Sequence, residues 1–360
     1  MKKIFSLILC IVLAMTMLAS CAEEAIGDYE YPDYKPTVIP NITLDLHVVV
    51  GDDTTELAID SVGRMLSQYT DTKFKTKLNV HYITESEYVE TLKADIKKSG
   101  DAKADIVLIN SAELANELIT AGLLEDLTDF YNGNDFGRLN TIITPSLIEA
   151  SKKDGKIYSV PNDHMVGEYT YLLINESVVN DYNFSPAKLA ACKSLEDETV
   201  LAIKTAVEAD GKLFADYVSI VTGDYNDKAD YTEAGYVCNV ISYPVADEDE
   251  AFSSAFAIVK ATEYPERAME VLYLLNTDSY FRNLLQYGVE GINYVKSDDG
   301  IVVPHASGDG VYSMNMLYTG SVFLLEYSEN WTADMKALAT SQNKESVFGV
   351  SLPDAPALGE

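Results

Sequence analysis

Three short apolar runs alternate with three amphipathic segments between residues 41 and 122, and this order limits the folds open to the chain. The apolar runs are "LDLHVVV" (Leu44 to Val50), "LNVHYI" (Leu78 to Ile83) and "DIVLI" (Asp105 to Ile109). The segments after them repeat apolar residues at helical spacing, and the first stripe holds Leu57, Val62, Leu66 and Tyr69. This alternation predicts an α/β fold, a parallel sheet with helices on both faces. Ligands of such sheets bind beyond the carboxyl ends of the strands, where Asn110 and Ser111 follow the third run.

The first 40 residues have the composition of a leader followed by a linker. Lys2 and Lys3 precede an uncharged run that ends at Ser20 and is shorter than the roughly 20 residues of a membrane-spanning helix, so residues 1–20 are predicted to be a signal peptide. The sequence Leu18-Ala19-Ser20-Cys21 resembles the bacterial lipobox, which implies cleavage before Cys21 and a lipid on its sulfur. The alternative is a secretory signal with a chance cysteine. Residues 21–40 are rich in acids and prolines and are predicted to be a flexible tether.

Composition excludes one class of partner. The chain has 26 Lys+Arg against 57 Asp+Glu, a net charge of -31 that would repel a phosphate backbone, so we expect no nucleic-acid partner. Its 360 residues suggest two domains rather than one. Beyond the leader and Cys21, Cys192 and Cys238 could pair or remain as buried free thiols. No CxxC or other metal-ligand spacing occurs, and we expect neither a metal nor a cofactor.

The pattern after residue 175 is less regular. The segment from Asp197 to Gly223 is mostly helical in pattern. The next segment, "DYNDKADY" (Asp224 to Tyr231), lacks the glycine and closing glutamate of a calcium loop and is predicted to be a solvated turn. Further strands are predicted over "YVCNVISYPV" (Tyr236 to Val245) and "AFAIVK", and a helix over "YPERAMEVLYLLNTD".

Four stretches in this order resemble the extracellular solute-binding proteins of ABC transporters. They are "AGLLEDLTDFY" from Ala121, "DGKIYSVPND" from Asp154, "YTYLLINESVV" from Tyr169, and the run from Ala255 to Tyr294 that ends in "YGVEGINY". The lipoprotein branch with a Tyr-Gly-x-Glu-Gly motif is the most similar. The resemblance implies an α/β, two-lobed, periplasmic-binding-protein-like fold, in which each lobe is a β-sheet flanked by helices and crossing hinge strands join the lobes.

The same resemblance implies a division of the chain. Residues 41–165 plus 258–305 would form the first lobe, and residues 166–257 plus 306–360 the second. The region between Asn175 and Tyr236 is short for this branch, and relatives usually continue beyond the position of Glu360. We therefore expect a second lobe that is reduced or incomplete.

The function implied by the resemblance is that of the substrate-binding lipoprotein of an ABC importer. Such a protein captures a solute, here expected to be an oligosaccharide, in the cleft between the lobes and delivers it to the membrane permease without making or breaking a bond. We expect a monomer that is held on the outer face of the cell membrane by its lipid. A binding protein for peptides or another small solute, a surface scaffold and a secreted enzyme remain alternatives, although no GxSxG, HExxH or GxxxxGK motif occurs.

Candidate ligand residues follow from the needs of sugar binding, which uses aromatic faces and planar polar side chains. With 24 Tyr and one Trp, tyrosine is expected to supply the faces. Tyr169 and Tyr171 alternate on one strand, and we expect one to face the core and the other the cleft. Tyr312, Asn315 and Tyr318 recur at helical spacing and could equally form a helix face. The full set of predicted ligand-binding residues is Asn110, Ser111, Asp163, His164, Tyr169, Tyr243, Glu290, Asn293, Tyr294 and Trp331, each of which could instead be structural.

Overall fold

The computed structural model describes residues 40–96 and 104–349. The predicted signal peptide, Cys21 and the tether up to residue 39 lie outside the described residues. The strands are β1 Ile42–Val50, β2 Thr76–Thr84, β3 Ile106–Ile109, β4 Lys152–Lys153, β5 Lys156–Ile157, β6 Ser159–Pro161, β7 Tyr169–Asn175, β8 Val218–Gly223, β9 Tyr236–Ser242, β10 Val245–Ala246, β11 Ala255–Ile258, β12 Tyr294–Lys296, β13 Val302–Pro304 and β14 Val347–Phe348. The helices are α1 Glu56–Phe74, α2 Glu85–Ile96, α3 Ala112–Thr120, α4 Thr128–Asn132, α5 Leu139–Ile142, α6 Pro145–Ala150, α7 Ser177–Asp181, α8 Pro186–Leu189, α9 Glu198–Ala209, α10 Asp227–Glu233, α11 Glu248–Phe252, α12 Pro265–Thr277, α13 Ser279–Tyr287 and α14 Ala333–Glu345.

The first sheet has the strand order β2-β1-β3-β11-β6. Strands β1, β2 and β3 are parallel, as the alternating pattern predicts. Strand β11 returns antiparallel between β3 and β6, so β6 ends at the same edge as the first three strands. All four residues of β3 are buried, which explains its continuous apolar run. The carboxyl ends of four strands therefore share one edge.

Helix α1 shows how local patterning defines this lobe. The Thr55 hydroxyl caps the helix by accepting a hydrogen bond from the backbone N–H of Ala58. Val62 and Leu66 are fully buried, as predicted, whereas Leu57 is 55% exposed. Ala58 occupies the core position that the prediction gave to Leu57. The prediction of the buried face of α1 is therefore correct over most of the helix, but that face begins one residue later than expected.

The second sheet is antiparallel, with the order β8-β7-β9. Two predictions are wrong here. The chain from Val218 to Gly223 is strand rather than helix, because its β-branched residues pair along the edge of β7. The segment predicted as a solvated turn contains α10, and the Asp224 and Asp227 carboxylates accept backbone hydrogen bonds at its start. Helix α9 covers one face of the sheet through Val200, Ile203 and Val207.

Residues 312–321 pack on the first lobe, whereas the predicted division placed residues 306–360 in the second. Tyr312 is buried and its hydroxyl donates to the Leu285 carbonyl of α13 (2.8 Å). The fully buried Arg282 donates to the carbonyls of Met316 and Ser321. The predicted helical spacing of Tyr312, Asn315 and Tyr318 is wrong, since only a short 3-10 turn, Met316–Thr319, forms there.

Candidate functional site: the crossing segment and the tyrosine cavity

Polar side chains lie where the strands of the first sheet end. The Asn110 amide, just after β3, donates to the carboxylate of Glu85, the first residue after β2 (2.9 Å). The Ser111 hydroxyl is used differently, because it caps α3 by accepting from the backbone N–H of Leu114 (3.2 Å). Asn110 therefore places an amide at this edge of the sheet, while the Ser111 hydroxyl is used to cap α3.

Residues 162–168 form the crossing segment, which joins β6 of the first sheet to β7 of the second. Asn162 is fully buried, and its amide donates to the Ser254 hydroxyl and the Leu317 carbonyl. The Asp163 carboxylate accepts from the backbone N–H of Thr144 (3.1 Å), and burial raises its pKa to about 6. Both side chains therefore anchor the segment inside the protein.

Helix α14 fixes the far side of the crossing segment. The Asn343 amide donates to the His164 carbonyl (2.7 Å) and accepts from the Val166 N–H (2.9 Å). It also donates to the Thr144 hydroxyl of the first lobe (2.8 Å). The Gln342 amide adds a bond to the Val166 carbonyl (2.9 Å). The last described helix thus holds the backbone between the two sheets.

Beside the crossing segment lies a cavity of about 860 Å³, here called the tyrosine cavity, which is lined by Tyr169, Tyr171, Tyr225, Tyr243 and Glu345 among others. The Tyr169 and Tyr171 rings stack with centroids 5.5 Å apart and planes at 15°. The rings of Tyr225 and Tyr243 lie 6.3 and 6.0 Å from Tyr169. Residues two apart on a strand point to the same side, so Tyr169 and Tyr171 both line the tyrosine cavity, whereas we expected one of them to face the core and the other the cleft.

Neutral donors and anionic acceptors meet in the tyrosine cavity. The Tyr169 hydroxyl donates to the Glu345 carboxylate (2.8 Å), and the Tyr171 hydroxyl donates to the Asp224 carbonyl (2.7 Å). Burial, with the added effect of Glu345, raises the pKa of Tyr169, so its hydroxyl stays protonated. The charged lining residues are Lys228, Glu233 and Glu345, which makes the lining net negative. Such a site offers aromatic faces, hydroxyl oxygens and carboxylate acceptors together.

The structure separates the predicted ligand residues into groups. Tyr169 and Tyr243 share the tyrosine cavity, and Tyr243 is 48% exposed. His164 and Trp331 line a different cavity. Asp163 lines a third cavity together with Asn343. None of these cavities contains the three candidates that follow α13, namely Glu290, Asn293 and Tyr294.

Those last three residues belong to the turn after α13. Gly288 has φ +78°, and a Cβ there would lie 2.4 Å from Asn293 Oδ1. The fully buried Asn293 accepts from the Val289 N–H (2.8 Å), and Tyr294 packs against Tyr287 with centroids 6.1 Å apart. Glu290 is exposed beside Lys296 (3.9 Å). Their contacts in the described chain are therefore those of a tight turn.

Among the lining residues of the tyrosine cavity that sequence reasoning missed, Tyr225 and Glu345 contact Tyr169. Tyr225 stands in the segment that was predicted to be a solvated turn, where a tyrosine among acids was the only available signal. Glu345 ends α14 and carries no local signal, because its partner Tyr169 is 176 positions away. Within 40–96 and 104–349, no group of three or more His, Cys, Asp or Glu is placed to hold a metal. Cys192 and Cys238 are both free thiols and do not pair, but only Cys192 is buried as that alternative expected, since Cys238 is half-buried.

No family model and no curated protein matches the sequence, whereas solved structures match the fold. The N-glycan transport solute-binding protein NgtS from Streptococcus pneumoniae matches with a TM-score of 0.56 at 18% identity, covering 85% of this chain and 83% of that chain. Its complex with Man5GlcNAc matches with a TM-score of 0.53, also at 18% identity, and covers 85% and 83%. The fold is that of an extracellular solute-binding protein. At these identities the likeness establishes the solute-binding fold and leaves the ligand open.

The predicted fold class is therefore confirmed, since two α/β sheet layers are joined as in the solute-binding fold. A family 1 extracellular solute-binding protein from Alicyclobacillus acidocaldarius has a TM-score of only 0.42 at 11% identity, over 86% of this chain and 87% of that chain, and adds nothing to this conclusion. Among the residues that the structure describes, no helix has the length and apolar character needed to span a membrane.

Proposed function

We propose that this protein is the solute-binding component of an ABC importer, and that it captures an oligosaccharide in the tyrosine cavity. The observation that carries the proposal is the tyrosine cavity itself, set beside the segment that joins the two sheets of a solute-binding fold. Its volume of about 860 Å³ lies toward the upper end of the roughly 300–1,000 Å³ usual for ligand sites. This size favours an oligosaccharide over a single sugar.

The chemistry of the lining supports a carbohydrate over a peptide. Tyrosine rings present faces to the C–H surfaces of sugars. The hydroxyls of Tyr169 and Tyr171 donate their single hydrogens to Glu345 and to the Asp224 carbonyl, and their oxygen lone pairs can accept from sugar hydroxyls. The carboxylates of Glu233 and Glu345 can accept hydrogen bonds from sugar hydroxyls. Lys228 is the one basic residue of the described lining, so a peptide carboxylate would find few partners there.

The position of α14 supports a transport role. Glu345 meets the tyrosine cavity, while Gln342 and Asn343 of the same helix hold the crossing segment and Thr144 of the first lobe. A solute that contacts Glu345 would therefore favour the arrangement in which α14 holds both lobes, because a ligand shifts the equilibrium toward the state in which it makes more contacts. The proposal includes a permease that recognises the loaded form, a monomeric protein, and a membrane anchor on Cys21.

Calorimetric titration of the purified protein with neutral oligosaccharides, amino acids and short peptides tests the ligand class. We expect saturable binding of an oligosaccharide and no product by chromatography. Product formation would indicate an enzyme instead, and the absence of binding across the whole panel would refute the proposal.

Substitution of Tyr243 locates the site. Tyr243→Ala removes a half-exposed ring from the cavity, and we expect affinity to fall about tenfold or more, because losing an aromatic contact and its hydroxyl costs about 1.5 kcal/mol or more. The matched control is Tyr264→Ala, which removes an exposed tyrosine at the start of α12 on the first lobe. Equal affinities for the two variants would place the solute elsewhere.

The anchor is tested separately from the ligand. The full chain produced in bacteria that are fed radiolabelled palmitate should incorporate the label, and Cys21→Ala should not. Absence of label from the wild-type chain would show that Cys21 carries no lipid, and it would leave the proposed ligand site unaffected.

A further inference from the structure

A second cavity of about 450 Å³ lies between the crossing segment, the 316–322 turn and α14. We call it the methionine cavity, after Met165, Met316 and Met335 in its lining. It shares no lining residue with the tyrosine cavity. Met335 and Glu345 stand ten positions apart on α14, which separates the two cavities by roughly 15 Å along the helix.

The lining of the methionine cavity is mostly apolar. Leu338 and Trp331 extend the surface made by the three methionines. Methionine side chains are unbranched and polarisable, so they adapt to ligands of varied outline. A concave apolar surface with a few convergent polar groups is the usual form of a small-molecule site.

Trp331 supplies a hydrogen-bond donor that has no acceptor. Its side chain is 4% exposed and packs edge-on against Phe323, with centroids 6.2 Å apart. In the described part of the chain, nothing accepts a hydrogen bond from its buried indole Nε1–H. Buried polar groups are normally satisfied, and this donor, which belongs to a side chain that lines the cavity, is not.

His164 and Glu250 form the polar end of the cavity. His164 Nδ1 lies 2.7 Å from the Asn162 carbonyl, an acceptor, so Nδ1 carries a proton. Its Nε2 lies 3.1 Å from the Glu250 carboxylate, so a hydrogen bond there needs a proton on Nε2 as well. Burial alone would lower the pKa of His164, but the bonds to Glu250 and Asn162 outweigh it and raise the pKa.

The positive charge of the imidazolium is balanced by the carboxylate that it faces, so this end of the cavity has no net charge. A charged ligand group would lose water without finding a free partner of opposite sign among the described lining residues, so charge complementarity favours a neutral ligand. The methionine and leucine walls favour a ring or a branched alkyl chain. The unpaired Trp331 N–H favours a hydrogen-bond acceptor.

We propose that the methionine cavity is a second ligand site, which binds a small neutral molecule made of an aromatic or short alkyl group and one hydrogen-bond acceptor. Its occupant contacts both the crossing segment and α14. This site is separate from the tyrosine cavity and does not depend on the proposed oligosaccharide.

The single tryptophan makes the test specific, because emission excited at 295 nm reports only Trp331. The probes are benzyl methyl ether and propylbenzene, which have nearly the same shape but differ in one acceptor oxygen, together with the anion phenylacetate. We expect a saturable change in emission with the ether, about fivefold weaker binding of propylbenzene and weaker binding still of phenylacetate. A response that rises linearly with every probe would overturn the proposal.

Two variants locate the binding. Leu338→Phe fills the cavity and should abolish the saturable response, whereas Leu213→Phe, at a 71% exposed position of the second lobe, should keep it. If Leu338→Phe lowers the melting temperature sharply, Ser253→Leu fills the same cavity from another wall and replaces it. A normal response in a folded, cavity-filled variant would refute the site.

The role of the indole donor has its own measurement. Trp331→Phe keeps a ring in place and removes the N–H, so by thermal shift we expect it to bind the ether and propylbenzene equally. A preserved preference for the ether would refute the assignment of Trp331 as donor. Loss of ether binding in Tyr243→Ala would instead show that the two cavities act as one site.

Discussion

Replacing Asp163 by asparagine should change how the stability of the protein depends on pH. Asp163 is 4% exposed, and its carboxylate has one backbone donor, the Thr144 N–H at 3.1 Å. Burial disfavours the charged form and raises the pKa from the ordinary value of 3.8 to about 6. Asparagine keeps the acceptor oxygen and removes the titrating group.

The sign and size follow from the two pKa values. The unfolded chain ionises near 3.8 and the folded chain near 6, so the folded state holds the proton more tightly. The stability that this proton contributes is complete below about pH 4 and is lost as the pH rises through 6. The difference between the two values corresponds to about 3 kcal/mol at pH 8. Asp163→Asn should avoid that loss.

Urea unfolding at intervals from pH 4 to pH 8 measures the effect. The free energy of unfolding of the variant, minus that of the wild type, should rise by up to about 3 kcal/mol between pH 4 and pH 6 and stay level above pH 7. Asp298→Asn, at an exposed turn, is the matched control and should show no such step. A difference that stays constant from pH 4 to pH 8 would refute the reasoning about Asp163.

Three further predictions concern single contacts. Asn343→Ala removes the hydrogen bonds to the crossing segment and should lower the free energy of unfolding by about 2–3 kcal/mol in urea, whereas the exposed Asn330→Ala should change it little. Asp278→Ala removes the carboxylate that caps α13 by accepting from the Phe281 N–H, and it should lower the free energy of unfolding by about 1–2 kcal/mol in thermal unfolding. A loss no larger than that of an Asp→Ala change at an exposed position would contradict the capping role. Once a neutral oligosaccharide ligand is known, its affinity can be compared with that of an analogue that carries one uronic acid. Glu345→Gln should raise the ratio of the analogue's affinity to the neutral sugar's affinity about fivefold, because two like charges about 4 Å apart repel by about 1 kcal/mol in water. Calorimetric titration checks this last ratio, and an unchanged ratio would place the uronate away from Glu345.

The first lobe was the most predictable part of the protein. Its three parallel strands and the helices between them follow from apolar periodicity, which depends on neighbouring residues alone. Val62 and Leu66 are buried because they share the inner stripe of α1. The antiparallel return of β11 beside β3 was not predictable in this way, because its partner is about 150 positions away.

Two segments after residue 200 show where local patterns fail. Residues 218–223 carry a pattern that fits helix or strand, and pairing with β7 decides for strand. Tyr312 reads as part of an amphipathic helix, yet a hydrogen bond to Leu285 and burial against the first lobe fix it in an irregular segment. In both cases a distant partner outweighs the local preference.

The sequence by itself determined the α/β class, the order of the main strands and helices, and the likeness to solute-binding proteins, because these depend on periodicity and on the order of short motifs. Only the tertiary structure decided which side chains meet. Tyr225 and Glu345 join Tyr169 in one cavity because sheet register and the path of α14 bring them there. Trp331 and His164 line one cavity for the same reason, since both are placed by contacts between segments far apart in the chain.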